Sequence, residues 1–284
     1  MQSLRVSDDG PMSTQRTHRG ESVRGGPILR HHSDFAVAGL VAAKGSHRIS
    51  VCIPARNEET TVAGIVETIV TSFTAAGGGV PLVDEVVVVD DGSEDRTAEL
   101  AHAAGARVFS ADTPGGGKGQ AMATALGAAL GDLIAFVDAD VSNFAPHFVT
   151  GLLGPLLVEE SVALVKAHYR RPLDGAPDGG GRVTELMAKP VLDVLFPQLS
   201  FVEQPLAGET AAPRAVLEKC GLADGYAVEL ALLIDVATRF GSGSVAQVDL
   251  GVRVHRNRPL AELRPQATGI LRAALERAPL ITPD

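Results

Sequence analysis

The stretch Leu133-Ile134-Ala135-Phe136-Val137-Asp138-Ala139-Asp140 constrains this chain more than any other. An apolar run that stops abruptly at two carboxylates one residue apart reads as a buried strand delivering metal ligands to its carboxyl end. Residues i and i+2 of an extended chain project to the same side, so Asp138 and Asp140 can converge on one divalent cation or its ligand. Three earlier apolar runs end in a similar way. Residues 48–54 lead into Ala55-Arg56-Asn57-Glu58-Glu59, residues 84–89 into Asp90-Asp91-Gly92-Ser93, and residues 106–110 into Thr113-Pro114-Gly115-Gly116-Gly117-Lys118-Gly119.

Helical periodicity separates these runs, at Val62, Ile65, Val66, Ile69 and Val70, at 96–104 and at 120–130. Ser93 or Asp95 is placed to cap the helix at 96–104. Four alternations of strand and helix predict an α/β fold, a doubly wound and mostly parallel sheet, whose ligands collect at the carboxyl ends of the strands. A short helix at 35–43 is expected to pack on the first strand. The second half alternates less regularly, with helices expected at 146–158, 183–196, 215–220, 226–240 and 260–277 and strands at 161–169 and 245–254. No internal repeat and no long linker interrupts it, so the second half should complete the cleft begun by the first.

Composition narrows the function. A formal net charge of -9 disfavours non-specific nucleic-acid binding, and 4% aromatic residues with no Trp leave little to stack bases on. No run approaches the ~18 apolar residues of a membrane span. Cys52 and Cys220 are far apart with no CxxC spacing, which predicts reduced thiols in a cytoplasmic protein. The glycine-rich segment invites a P-loop reading, which fails because Gly119 stands where Ser or Thr is needed and Asp112 where the first Gly is needed. A flexible segment that lets Lys118 reach a nucleotide or diphosphate is the remaining use.

Taken together, PARNEE (54–59), VVDDGSEDRT (88–97), GKGQAMATAL (117–126) and FVDAD (136–140) resemble the nucleotide-sugar half of a GT-A fold glycosyltransferase. In the second half KAHYRRPL (166–173), GGGRVTEL (179–186), QPLAGE (204–209), GYAVEL (225–230) and AQVDLGVRVHRNRP (246–259) resemble the actinobacterial glucosyl-3-phosphoglycerate synthases. The resemblance runs from about 34 to 263. It implies a Rossmann-like GT-A sheet with a smaller acceptor-binding subdomain: a nucleotide-sugar half at 34–165 and an acceptor half with a C-terminal helix at 166–284. Residues 1–33, polar, Gly-rich and aperiodic, read instead from their composition as a disordered leader.

The activity implied is transfer of glucose from UDP-glucose to the 2-hydroxyl of 3-phosphoglycerate, with retention, using Mg²⁺ or alternatively Mn²⁺, by a cytoplasmic homodimer. Pro54, Ala55, Arg56, Asn57, Glu58, Asp91, Lys118, Asp138, Ala139, Asp140, Tyr226 and Glu229 would then hold the nucleotide sugar. Gly181, Arg182, Val183, Thr184, Arg253 and Asn257 would hold the acceptor, and Asp140 with His255 the metal. Glu229 and the Leu206 carbonyl join Asp140 as catalytic groups, with the carbonyl orienting the attacking hydroxyl. The turn at 181–184 also has a physical reading, since free N–H groups entering a helix and an arginine fork suit phosphate or carboxylate. One departure is Thr210, where the family commonly has Tyr, which leaves packing or sugar contact open there.

Other readings are an inverting transferase acting on a polyprenyl phosphate or polysaccharide, a mannose donor, and a non-catalytic sugar-nucleotide-binding regulator. The absence of Trp removes a Gln-x-x-Arg-Trp polymer motif, and intact Asp138, Asp140, Lys118 and His255 oppose the regulator.

Overall fold

The computed structural model describes residues 27–172, 180–255 and 260–279. Its strands are β1 (Ile28–His31), β2 (Ile49–Ala55), β3 (Glu85–Asp90), β4 (Arg107–Ser110), β5 (Leu133–Phe136), β6 (Leu164–Arg170), β7 (Thr210–Pro213) and β8 (Val245–Val252). The α-helices are α1 (Val37–Lys44), α2 (Val62–Phe73), α3 (Thr97–Ala103), α4 (Lys118–Ala128), α5 (Pro146–Val158), α6 (Lys189–Leu195), α7 (Arg214–Cys220), α8 (Val228–Phe240) and α9 (Leu260–Arg277).

All eight strands join one sheet in the order β1-β8-β6-β7-β5-β2-β3-β4. Alternation along each strand sorts side chains into two cores. Val51 and Ile53 of β2, Val86 and Val88 of β3, and Ala135 of β5 face the layer of α1, α2 and α5. Cys52, Val87, Val89, Ile134 and Phe136 face the layer of α4, α7 and α8. Both faces are covered, which is why these strands are continuous apolar runs rather than alternating ones. A fully buried Val or Ile is worth roughly 1.5–3 kcal/mol, so the β-branched run of β3 holds its side of the sheet firmly.

Pairs β2–β3, β2–β5 and β3–β4 are parallel, as the alternation predicts. The chain turns from one side of β2 to the other between β4 and β5. That places a topological switch beside the carboxyl ends of β2 and β5, where such sheets bind ligands.

Several expectations are corrected. Residues 28–31, assigned to a leader, form β1 and pair in parallel with β8, a contact invisible to local pattern because its partner lies far along the chain. Residues 1–26 of that leader lie outside the described residues. β7 was not anticipated, since Thr-Ala-Ala-Pro lacks a β-branched alternating run. It becomes a strand by antiparallel pairing with both β5 and β6. The proposed 165/166 boundary falls inside β6, so the two halves share one sheet. α1 packs chiefly on α5 rather than on a strand. The helix expected over 183–196 opens as a π-helical turn, Thr184–Ala188, before α6. Thr210 has a packing role: it is 2% exposed and its Oγ1 donates to the Val165 carbonyl at 2.7 Å.

Candidate active site

A cleft of about 640 Å³ opens over the carboxyl ends of β2, β3 and β5. Every described residue expected at the site lines it: Pro54 to Glu58, Asp91, Lys118, Asp138 to Asp140, Gly181 to Thr184, Leu206, Tyr226, Glu229, Arg253 and His255. Asn257 lies outside the described residues.

The loop after β2 is shaped by a second loop, the one after β3. Asn57 takes a φ of 55°, a left-handed conformation that Asn tolerates. Its N–H donates to Ser93 Oγ at 2.9 Å and its Oδ1 accepts from the Glu94 N–H at 2.8 Å. Asp95, not Ser93, serves α3: its Oδ1 accepts from the Thr97 N–H at 3.0 Å. Asp91 is 4% exposed and leaves α3 alone. Its Oδ2 accepts from the Gly117 N–H at 3.1 Å, and its Oδ1 is buried with no hydrogen-bond partner among the described residues.

Lys118 does not ride a flexible segment. It is the first residue of α4, set there by Gly117 at a φ of 89°. Gly119 is a close-approach residue, since a Cβ there would stand 1.9 Å from the Ala223 carbonyl oxygen. This packing ties α4 to the turn before α8 and so brings Lys118 against Glu229. The Lys118 ammonium meets Asp138 Oδ1 at 2.5 Å and Glu229 Oε1 at 2.7 Å. Burial would strip its proton, but Asp138 and Glu229 more than offset that and raise its pKa. Burial likewise opposes ionisation of Asp138, and Lys118 and Arg253 overcome it and hold the carboxyl well below the usual range. Glu229, 6% exposed in the first turn of α8, is thus a paired buried acid.

Arg253, beyond the end of β8, is 3% exposed. One nitrogen, Nη2, meets Asp138 Oδ2 and Asp140 Oδ1, each at 2.7 Å, while Nε donates to Glu209 Oε1 at 2.9 Å. The two aspartates therefore do converge, on a guanidinium that ties both to a fully buried Glu209. Tyr169 donates its hydroxyl hydrogen to the other Glu209 oxygen at 2.5 Å, and Arg171 reaches the Tyr169 hydroxyl at 3.1 Å.

His255 arrives beside Asp140 through an isolated antiparallel bridge to Val141. Burial, then Arg253 and Arg171, push its pKa down to about 4. A neutral imidazole next to a carboxylate is a donor pair for a divalent cation. Among the described residues no group of three or more His, Cys, Asp and Glu is arranged to hold a metal unaided. A cation on Asp140 and His255 would take its remaining oxygens from a diphosphate and water, as hard cations commonly do, and the residues fit that use.

The low pKa predicts a pH effect. Between pH 4 and 6.5 the unfolded chain binds a proton at His255 that the folded chain does not, so this residue's contribution makes stability rise with pH across that window and level off above it. Melting temperatures at pH 7 and pH 5 should differ more for the wild type than for His255→Ala; equal differences would show that His255 is not held neutral.

Sequence reasoning missed Arg171, which lines the cleft, and Leu263, Gln266 and Ile270 of α9, which form part of its wall. It also missed Glu209 and Tyr169, although both sit inside motifs quoted above; nothing local distinguishes them from ordinary strand-end residues.

The sheet, the switch point and the acid and base cluster define a GT-A glycosyltransferase, and residues 50–198 match the model of glycosyl transferase family 2. The chain is 49% identical to the glucosyl-3-phosphoglycerate synthase of Mycolicibacterium smegmatis over 253 residues, 86% of this chain and 82% of that one. It is also similar to the crystal structure of glucosyl-3-phosphoglycerate synthase from Mycobacterium tuberculosis in complex with Mn²⁺, UDP-glucose and phosphoglyceric acid. That match has a TM-score of 0.79 at 42% identity and covers 88% of this chain and 87% of that one. The same enzyme with Mg²⁺ and UDP gives 0.80 at 42%, covering 91% and 88%. The chain belongs to the glucosyl-3-phosphoglycerate synthase family.

Proposed function

We propose that this enzyme transfers the glucosyl group of UDP-glucose to the 2-hydroxyl of 3-phosphoglycerate with retention, releasing UDP and glucosyl-3-phosphoglycerate. The observation that carries this reading is that one cleft wall holds both the nucleotide-sugar loops and the turn at 181–184. The family's solved complexes with both substrates support it.

In this reading the loop at 54–58 and Asp91 receive the uridine. Asp138 and Glu229, both locked in place by Lys118, accept hydrogen bonds from the glucose hydroxyls. Asp140 and His255 hold Mg²⁺ or Mn²⁺, which neutralises the leaving diphosphate as a Lewis acid. Arg182 and the N–H groups of the turn at 181–184 take the charged groups of the acceptor, with Arg253 and Asn257 as further contacts. The Leu206 carbonyl helps orient the attacking hydroxyl. Glu229 is committed to Lys118 rather than poised as a nucleophile, which favours attack from the face the diphosphate leaves, with a phosphate oxygen accepting the proton. A cytoplasmic homodimer completes the reading. No helix among the described residues is long and apolar enough to cross a membrane.

Purified protein with UDP-glucose, Mg²⁺ and 3-phosphoglycerate should release UDP and form glucosyl-3-phosphoglycerate. UDP release that ignores the acceptor, or activity only with lipid phosphates, would sink the reading. Arg182→Ala should raise the KM for 3-phosphoglycerate at least about ten-fold, the loss of one charge-assisted contact, while UDP binding by calorimetry stays unchanged. Parallel loss of both would make Arg182 structural.

A further inference from the structure

We propose that Lys166 is a positioning residue for glucosyl transfer, holding the loop at 204–209 from beneath so that the Leu206 carbonyl faces the attacking hydroxyl. This inference rests on the transfer proposed above.

Lys166 lies in the middle of β6 and is 1% exposed, between Val165 and Ala167, which are buried as fully. An ammonium at the centre of a sheet is costly unless its contact is needed. Burial draws its pKa down to about 8. Its Nζ donates to the Ala207 carbonyl at 2.6 Å.

A second buried polar side chain acts on the same loop. Gln247 of β8 is the register partner of Lys166 and is 0% exposed. Register partners on neighbouring strands share one face. Gln247 Oε1 accepts from the Glu203 N–H at 2.6 Å, and its Nε2 donates to the Phe201 carbonyl at 3.0 Å. Side by side, the two residues anchor the segment from Phe201 to Ala207.

Further backbone contacts fix the loop. The Ala207 N–H closes a turn onto the Gln204 carbonyl at 3.0 Å, and the Glu209 carbonyl accepts from the Ala167 N–H at 3.1 Å. Gly208 sits so close to Asp138 and Lys118 that a Cβ would come within 2.3 Å of both. The Leu206 carbonyl, by contrast, accepts no hydrogen bond from the described residues, and Leu206 lines the cleft. Of residues 201–209 Leu206 is the one that lines the cleft, and with Ala207 turned inward by Lys166 its carbonyl is the one set to meet a ligand there.

Lys166→Met preserves length and removes the donor. Its kcat for transfer to 3-phosphoglycerate should fall about 100-fold, the scale of a misplacement near 1 Å, with an unchanged KM for UDP-glucose and a larger fraction of donor lost to water. Backbone amides of 201–209 should exchange faster with deuterium in the unliganded enzyme. Unchanged turnover and exchange would overturn the proposal, as would a proportional loss of donor binding, transfer and melting temperature. If Lys166→Met does not fold, Gln247→Leu decides: slower transfer at unchanged UDP-glucose KM supports the proposal, and wild-type transfer refutes it. Were wild-type enzyme to ignore 3-phosphoglycerate, the acceptor assignment would fall separately, and amide exchange with donor hydrolysis would still show whether Lys166 sets the loop.

Discussion

Gly208→Ala is expected to lower kcat by about 100-fold or more and to lower the melting temperature as well. A methyl group at this position would stand 2.2 Å from Asp138 Oδ1 and 2.3 Å from Lys118 Nζ. The loop has little room to retreat, because Lys166 holds the Ala207 carbonyl and Ala167 holds the Glu209 carbonyl from behind. The ion pair must open instead. Lys118 also serves Glu229, so its displacement leaves two carboxylates in the cleft short of a counter-charge. Separating one partner from a buried pair costs up to about 3–5 kcal/mol. Steady-state kinetics and thermal unfolding check this, and wild-type values for both would show that the loop yields.

Arg253→Met should be the most destabilising change at the site, by roughly 3–5 kcal/mol at neutral pH. It removes the guanidinium that meets Glu209, Asp138 and Asp140 together, leaving Glu209 buried with only the Tyr169 hydroxyl among its side-chain contacts described above. The deficit has a sign in pH. In the variant a buried carboxylate without its cation takes up a proton more readily than in the unfolded chain, so the folded state regains stability as pH falls and loses it as pH rises. Urea unfolding at pH 7 and pH 5 should therefore show a smaller gap from wild type at pH 5. A gap that is constant or grows on acidification would mean that Arg253 acts by packing alone. Arg253→Lys should recover little of the stability, since one ammonium cannot reproduce a fork that meets three carboxylates.

Much of the site was legible because its chemistry sits at the ends of strongly patterned strands. The runs before Ala55, Asp90 and Asp138 announce their own burial, and polar residues at a parallel strand's carboxyl end face the ligand side of the sheet. Lys118 was found for a wrong reason, as the tip of a supple loop, when packing of Gly119 on Ala223 fixes it at a helix start. Asp91 lines the cleft as expected of a nucleotide-sugar contact, and only the fold shows that its carboxylate also secures the Gly117 N–H. Arg171, Glu209 and Tyr169 escaped because a strand-end charge and a buried one look alike until partners are known.

By itself the sequence determined the alternating layers, the identity of the polar groups at each strand end and, through motifs spread along the chain, the family. Local periodicity suffices for these, because burial on both faces of a sheet dictates residue type one strand at a time. Tertiary structure alone decided how the charges are balanced. Arg253 reaches Asp140 across 113 residues and Lys118 reaches Glu229 from another helix. Such contacts depend on strand order, on β7 entering the sheet between β5 and β6, and on glycines thin enough to let loops touch, and none of these leaves a periodic trace. Coulomb energy falls with distance and rises with burial, so the state of Asp138 and Asp140, first seen as two acids closing a strand, is set by neighbours that only the folded chain supplies.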